Sequence, residues 1–204
     1  MTLSLPTRGY LLACGGTRGR ISGRRRVAML VRAAVVTDLL HRGRLADHGG
    51  KAGVTGRGPT GDLLLDDVLA NLAEDGPRPW RSLVRRDGAD TLRSLELQLV
   101  AANLLRERKT GLLGRSVLEL ADPAAARRER ARVEAALRDP VSEVDSGDAA
   151  LATLAAAAGI GFSPRDFRAD SARLAELAGR AGPAVPALRR LVRRQRAVRS
   201  GGHG

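Results

Sequence analysis

Cysteine, lysine and aromatic side chains are almost missing from this 204-residue chain. Cys14 is the only cysteine, which excludes an internal disulfide, argues against a thiolate metal centre and fits a reducing cytosol. The aromatic residues are Tyr10, Trp80, Phe162 and Phe167. The apolar 43% of the chain is therefore mostly Ala, Leu and Val, a mix that favours helix over sheet. No run of 18 apolar residues exists, so no membrane span is expected; the apolar stretch 27–36 is too short and carries Arg32. The N-terminus has no signal-peptide pattern. HExxH, CxxC, GxSxG and the phosphate-loop pattern GxxxxGK[ST] are all absent. The chain is therefore expected to be no enzyme and to need no cofactor.

What is present in excess is arginine. The net charge is +13, and Lys51 and Lys109 are the only lysines. An Arg-rich, Ala-rich chain suggests a GC-rich bacterial genome, so codon bias supplies part of the count. A balance of +13 still implies attraction to polyanions, either nucleic acid or an anionic membrane surface.

The stretch PTGDLLLDDVLANL, residues 59–72, organises the rest. Pro59-Thr60-Gly61 is a tight turn, Asp62 a helix cap, and Leu65, Val68, Leu69 and Leu72 one apolar face. Asp62, Asp66 and Asp67 lie close enough for a metal, but acids in a first helical turn serve capping and the dipole. Residues 8–14, RGYLLAC, are expected to be a short strand or extended, with Cys14 a small buried residue. Residues 15–26 form a glycine-rich loop with five arginines and no acid, either a solvated loop or a phosphate cradle at a helix start. Residues 27–41 are a buried helix whose Arg32 must find a surface, a partner or a ligand. RLAD and KAGVT make a small hairpin.

Beyond the PTGD helix, Trp80 anchors a short helix ended by Arg85 and Arg86, and Asp90 caps a helix over 91–106. Residues 106–120 are a second hairpin with Leu112 and Leu113 at its tip and Arg108, Lys109 and Arg115 beside them. Leucines flanked by cations suit a membrane-touching loop; the other reading folds the tip back on the body. Asp122-Pro123 and Ser163-Pro164 start helices, 147–158 is a small-residue helix, and Pro183 opens a basic last helix. The expected fold is mainly α: a compact single-domain helical bundle with one or two short β-hairpins. Residues 1–7 are an arm, 8–199 the domain and 200–204 a disordered tail.

The order Gly9-Tyr10-Leu11, Arg42-Gly43-Arg44-Leu45, Pro59-Thr60-Gly61-Asp62 with Leu64-Leu65-Asp66-Asp67, then Trp80, resembles the Golgi phosphoprotein 3 family. Leu99-Val100 with Leu104-Leu105, the hairpin and Arg138-Asp139-Pro140 continue the likeness, over roughly residues 8–170. The resemblance implies a mainly helical peripheral membrane protein of actinobacterial type. It would sit reversibly on the cytosolic face, bind phosphatidylinositol 4-phosphate-type headgroups and act as an adaptor for membrane enzymes. It also implicates the 106–120 hairpin in self-association. The family's headgroup residues fall here at Cys14, Arg32, Ala89 and Leu92, with Arg93 adjacent, so one of four is kept. The expected headgroup set is accordingly Arg20, Arg24, Arg25, Arg26, Arg32 and Arg93. The alternative is a basic winged-helix-like nucleic-acid binder, against which the scarcity of aromatic residues for base stacking counts.

Overall fold

A computed structural model describes residues 3–15, 19–56, 58–110, 115–161 and 170–200. Its centre is helix α2 (Arg24–His41), whose residues from Val27 to Leu39 are buried almost without a break. A helix that is apolar on every side needs neighbours on every side. It has them in α1 (Leu5–Ala13), α3 (Leu63–Asp75), α4 (Trp80–Arg85), α5 (Gly88–Ala101), α7 (Ser146–Ala158) and α9 (Ala184–Ser200). Helices α6 (Pro123–Arg138) and α8 (Ser171–Ala181) pack outside this ring against α7, and a 3₁₀ turn at Val141–Glu143 joins α6 to α7. The fold is mainly α with one continuous apolar core, as the composition predicts.

Two small antiparallel sheets complete it. Strands β1 (Leu45–His48) and β2 (Lys51–Val54) pair from Leu45↔Val54 to His48↔Lys51, and β3 (Arg78–Pro79) adds to β2. Strands β4 (Leu105–Thr110) and β5 (Arg115–Leu120) form the second hairpin, in register from Leu105↔Leu120 to Thr110↔Arg115. Trp80 is buried, and its indole Nε1 donates to Asp47 Oδ1 at 2.6 Å, which fastens α4 to β1.

Four expectations need correction. The run 8–14 is not a strand: it lies in and just after helix α1, which starts with Pro6 in its first turn and buries Leu5 through Leu12. A short run buried all round shows no amphipathic period, so pattern alone cannot separate helix from strand. Helix α1 also begins inside the expected arm, at Leu5. Helix α2 starts at Arg24 instead of residue 27, so the three arginines are its first turn. Helix α5 runs 88–101 instead of 91–106: Asp90 lies inside its first turn, Asn103 turns the chain with φ 57°, and Leu105 enters β4. The Ser163-Pro164 start and the 201–204 tail lie outside the described residues.

The PTGD element is built as read. Gly61 takes φ 82°, a left-handed value open to glycine. Asp62 Oδ1 accepts from Leu64 N at 3.0 Å and Leu65 N at 3.3 Å, and Asp66 Oδ1 accepts from Thr60 N at 2.6 Å. Both carboxylates are thus engaged with backbone amides at the amino end of α3. Replacing Asp62 by Ala is expected to cost about 1 kcal/mol in urea unfolding, while Asp62→Asn costs only a few tenths, because Asn caps nearly as well.

Candidate functional site: two basic hollows

The expected headgroup arginines do not converge on one point. Arg32 is buried on α2, where Nε donates to the Leu83 carbonyl at 3.0 Å and Nη1 to Thr91 Oγ1 at 3.2 Å. Burial lowers its pKa; Asp87 nearby opposes that and Arg86 adds to it. Arg32 therefore braces α2 against the α4–α5 corner. Arg26 lies against Gly159, the residue that closes α7, where a cation suits the helix dipole. Arg93 is exposed on α5 and lines neither hollow described below. Arg24 pairs in a fork with Glu96, at 2.8 and 2.7 Å, and Glu96 also accepts from the Tyr10 hydroxyl at 3.1 Å. That desolvated setting pushes the Tyr10 pKa up.

The first hollow, about 470 Å³, lies at the base of the β4–β5 hairpin. Its walls include Arg106, Arg108, Glu119 and Arg127 together with Cys14, Gly15 and Gly19. Glu119 on β5 is nearly buried and faces three guanidiniums: Arg106 at 3.2 Å, Arg108 at 3.6 Å and Arg20 at 3.8 Å. Arg106 and Arg108 share one face of β4 because side chains alternate along a strand. Arg20 is brought in because Leu120 N donates to the Gly19 carbonyl, which ties the loop to β5. One carboxylate against three arginines leaves a surplus of two positive charges. Among the described residues, the buried Arg20 Nε has no hydrogen-bond partner. An anion with several acceptor oxygens is the chemical complement of this cluster.

The second hollow is a groove of about 720 Å³ between α2, the α4–α5 corner and α9. Arg24 and Arg25 at the start of α2 border it, with Arg85 and Arg194 from elsewhere in the chain. Ala89 and Leu92, the places where the resemblance expects basic residues, line the groove as apolar surface. Of the hairpin residues, Arg108 and Lys109 are exposed on opposite faces of β4 and Arg115 opens β5. Leu112 and Leu113 lie outside the described residues.

Sequence reading missed Arg106, Arg127 and Glu119 in the first hollow. The signal existed for two of them, since a hairpin centred on 111–114 sets Arg106 opposite Glu119. Arg85 and Arg194 carried no local signal.

A helical body wound on one buried helix, with a capped PTGD turn, a Trp-anchored corner and a basic hairpin, defines a class of Golgi phosphoprotein 3-like folds. The family model Golgi phosphoprotein 3 (GPP34) matches residues 5–195, and the chain belongs to that family. Comparison with curated proteins gives no match. Among the described residues, no helix is long and apolar enough to cross a membrane.

Two measurements check this geometry. Arg32→Ala removes the donors to Leu83 O and Thr91 and leaves a cavity; unfolding free energy is expected to fall by about 2 kcal/mol in urea titration. Cys14 is 2% exposed, and burial with the nearby Glu96 charge pushes its thiol up to about 12. The native thiol should therefore resist iodoacetamide at pH 8, whereas the unfolded chain reacts readily. The unfolded thiol ionises near pH 9 and the folded one does not. The Cys14 contribution is complete below pH 9 and declines towards pH 12, by about 1.4 kcal/mol per pH unit. Cys14→Ala should flatten that part of a pH–stability curve.

Proposed function

We propose that this protein is a peripheral membrane protein that holds anionic phospholipid headgroups at the base of its β4–β5 hairpin. The observation that carries this is the Arg20–Arg106–Arg108 cluster around Glu119, with its charge surplus and the unpartnered Arg20 Nε. A phosphorylated headgroup offers the acceptor oxygens that such a cluster lacks. The hairpin tip, with Leu112 and Leu113, would touch the leaflet while Arg108, Lys109 and Arg115 meet headgroups beside it. Membership of the Golgi phosphoprotein 3 family supports a phosphoinositide-type ligand on a cytosolic membrane face and an adaptor role towards membrane enzymes. On this reading the protein works by binding and performs no reaction. Self-association through the same hairpin would compete with lipid for its tip.

Liposome co-sedimentation tests the reading. Neutral vesicles are compared with vesicles carrying phosphatidylinositol 4-phosphate, phosphatidylinositol or a generic anionic lipid at equal charge. The protein is expected to pellet with anionic vesicles and remain in solution with neutral ones, with binding weakened by salt. Each basic residue near such a surface contributes about 1 kcal/mol, so Arg20→Gln/Arg108→Gln should cost about thirtyfold in vesicle affinity. Indifference to anionic vesicles at physiological salt would sink the proposal, and a preference for duplex DNA over lipid in competition would replace it.

A further inference from the structure

Helix α9 carries a concentration of charge that neither hollow accounts for. Glu176 is the last acidic residue of the chain, and seven arginines follow it, so +7 of the net +13 lies behind that point. Codon bias alone would interleave acids with the arginines, as on α6, where Glu129 and Glu134 stand among them. Arg189, Arg190, Arg193 and Arg194 are exposed and, among the described residues, make no ion pair with a carboxylate. Arg196 is exposed beside them. The helix dipole favours cations in the last turn only, and Arg189 and Arg190 lie in the middle of α9.

The helical period sorts these arginines into two columns. At about 100° per residue, Arg189, Arg193 and Arg196 share one column, and Arg190 and Arg194 stand about 100° further round. Together they run about 10 Å along the axis. The opposite face is spent on the core, where Val185, Leu188 and Val192 are buried. The arginine arc therefore holds no large apolar side chain to enter an acyl layer, which an interfacial helix needs beside its cations. Val198, the exposed valine of α9, lies to one side of it, on the groove. A flat anionic surface meets a cylinder along one line and engages one column well. A channel with an anionic wall on each side engages both. The major groove of duplex DNA is about 12 Å wide and admits an α-helix between two phosphate walls, whereas that of duplex RNA is too narrow. Guanidinium forks match phosphate oxygens.

We propose that α9 docks in the major groove of duplex DNA, with Arg189, Arg193 and Arg196 against the phosphates of one strand and Arg190 and Arg194 against those of the other. Contacts of this kind position a protein on the duplex without reading its sequence. The proposal is independent of the headgroup reading, because α9 lines no part of the hairpin-base hollow.

The test is fluorescence anisotropy of a labelled mixed-sequence DNA duplex of about 20 base pairs, titrated with the full chain between about 50 and about 200 mM salt. Neutralising four phosphates predicts a log–log salt slope of about −3.6, or a loss of about a hundredfold in affinity across that range. Arg189→Gln/Arg193→Gln and Arg190→Gln/Arg194→Gln should each flatten the slope by about 1.8. Arg128→Gln/Arg132→Gln on α6 removes the same charge elsewhere and should leave the slope as in the wild type. All these arginines are exposed, so the variants are expected to fold, and circular dichroism checks it. The single strand of the same sequence and polyglutamate should bind at least about tenfold more weakly than the duplex. Equal affinity for either would make α9 a general polyanion surface and overturn the proposal, as would equal flattening by the α6 pair. Duplex binding that survives in both α9 variants while pelleting with anionic vesicles is lost would make α9 a membrane contact instead. The Arg20→Gln/Arg108→Gln variant should bind duplex like the wild type, so this result and the vesicle result can each fail alone. If a variant does not fold, the wild-type preference for duplex over single strand decides.

Discussion

Burial of helix α2 on every side is the constraint from which the rest follows. An apolar cylinder in the middle of a small protein can be covered only by a ring of helices, and each charge it carries must be satisfied by that ring. Asp38 shows how. It lies 33 residues from Leu5 in sequence, yet its Oδ2 accepts from Leu5 N at 2.7 Å while Oδ1 accepts from Arg42 Nε at 2.6 Å. Helix α1 has no side-chain cap of its own, so the central helix supplies one. Arg32 on the same helix is met by a carbonyl and a hydroxyl, and Arg24 by Glu96. Close approach completes the ring: a side chain added at Gly9 would stand 3.6 Å from Leu30, in contact but without clash.

A second buried network fixes the outer layer. Arg8 on α1 is 5% exposed, donates from Nε to Glu129 on α6 at 2.8 Å, and pairs with Asp148 on α7. Both carboxylates hold the guanidinium pKa up against the desolvation that would lower it. Exchanging all three groups for apolar ones of similar volume is often neutral, whereas removing Arg8 alone strands Glu129 and costs several kcal/mol. The network therefore fixes which faces of α1, α6 and α7 meet, and burial supplies the stability.

Local chemistry was legible in the sequence and long-range packing was not. The Asp62 cap, the Asp122-Pro123 start and both hairpins depend on residues close to one another in sequence, and they are legible there. Helix α1 was misread because all its sides are buried and its cap comes from α2. The hollows divided in the same way. The hairpin base is partly readable, since strand alternation and register set Arg106, Arg108 and Glu119 together. The groove is not readable, since Arg25, Arg85 and Arg194 meet only once three helices have packed.

That division bears on how a fold is kept while its surface contacts change. A headgroup site made by side chains from several elements is a sum of charges at a place. The same sum can be reached from different elements once the backbone is fixed. Here Arg32, at a family position, is spent on Leu83 and Thr91, and Ala89 and Leu92 carry no charge at two others. The positive charge has instead collected on the loop before α2, on β4 and on α9. Long-range attraction depends on the total, which +13 secures against any polyanion. Discrimination depends on placement: guanidiniums sharing a single carboxylate at a hairpin base and guanidiniums beside the apolar side chains of a helix groove present different chemistry. The family fold carries across residues 5–195 while three of the four family headgroup positions, Cys14, Ala89 and Leu92, hold other residue types, because the core constrains the backbone far more tightly than it constrains which surface residue supplies a charge.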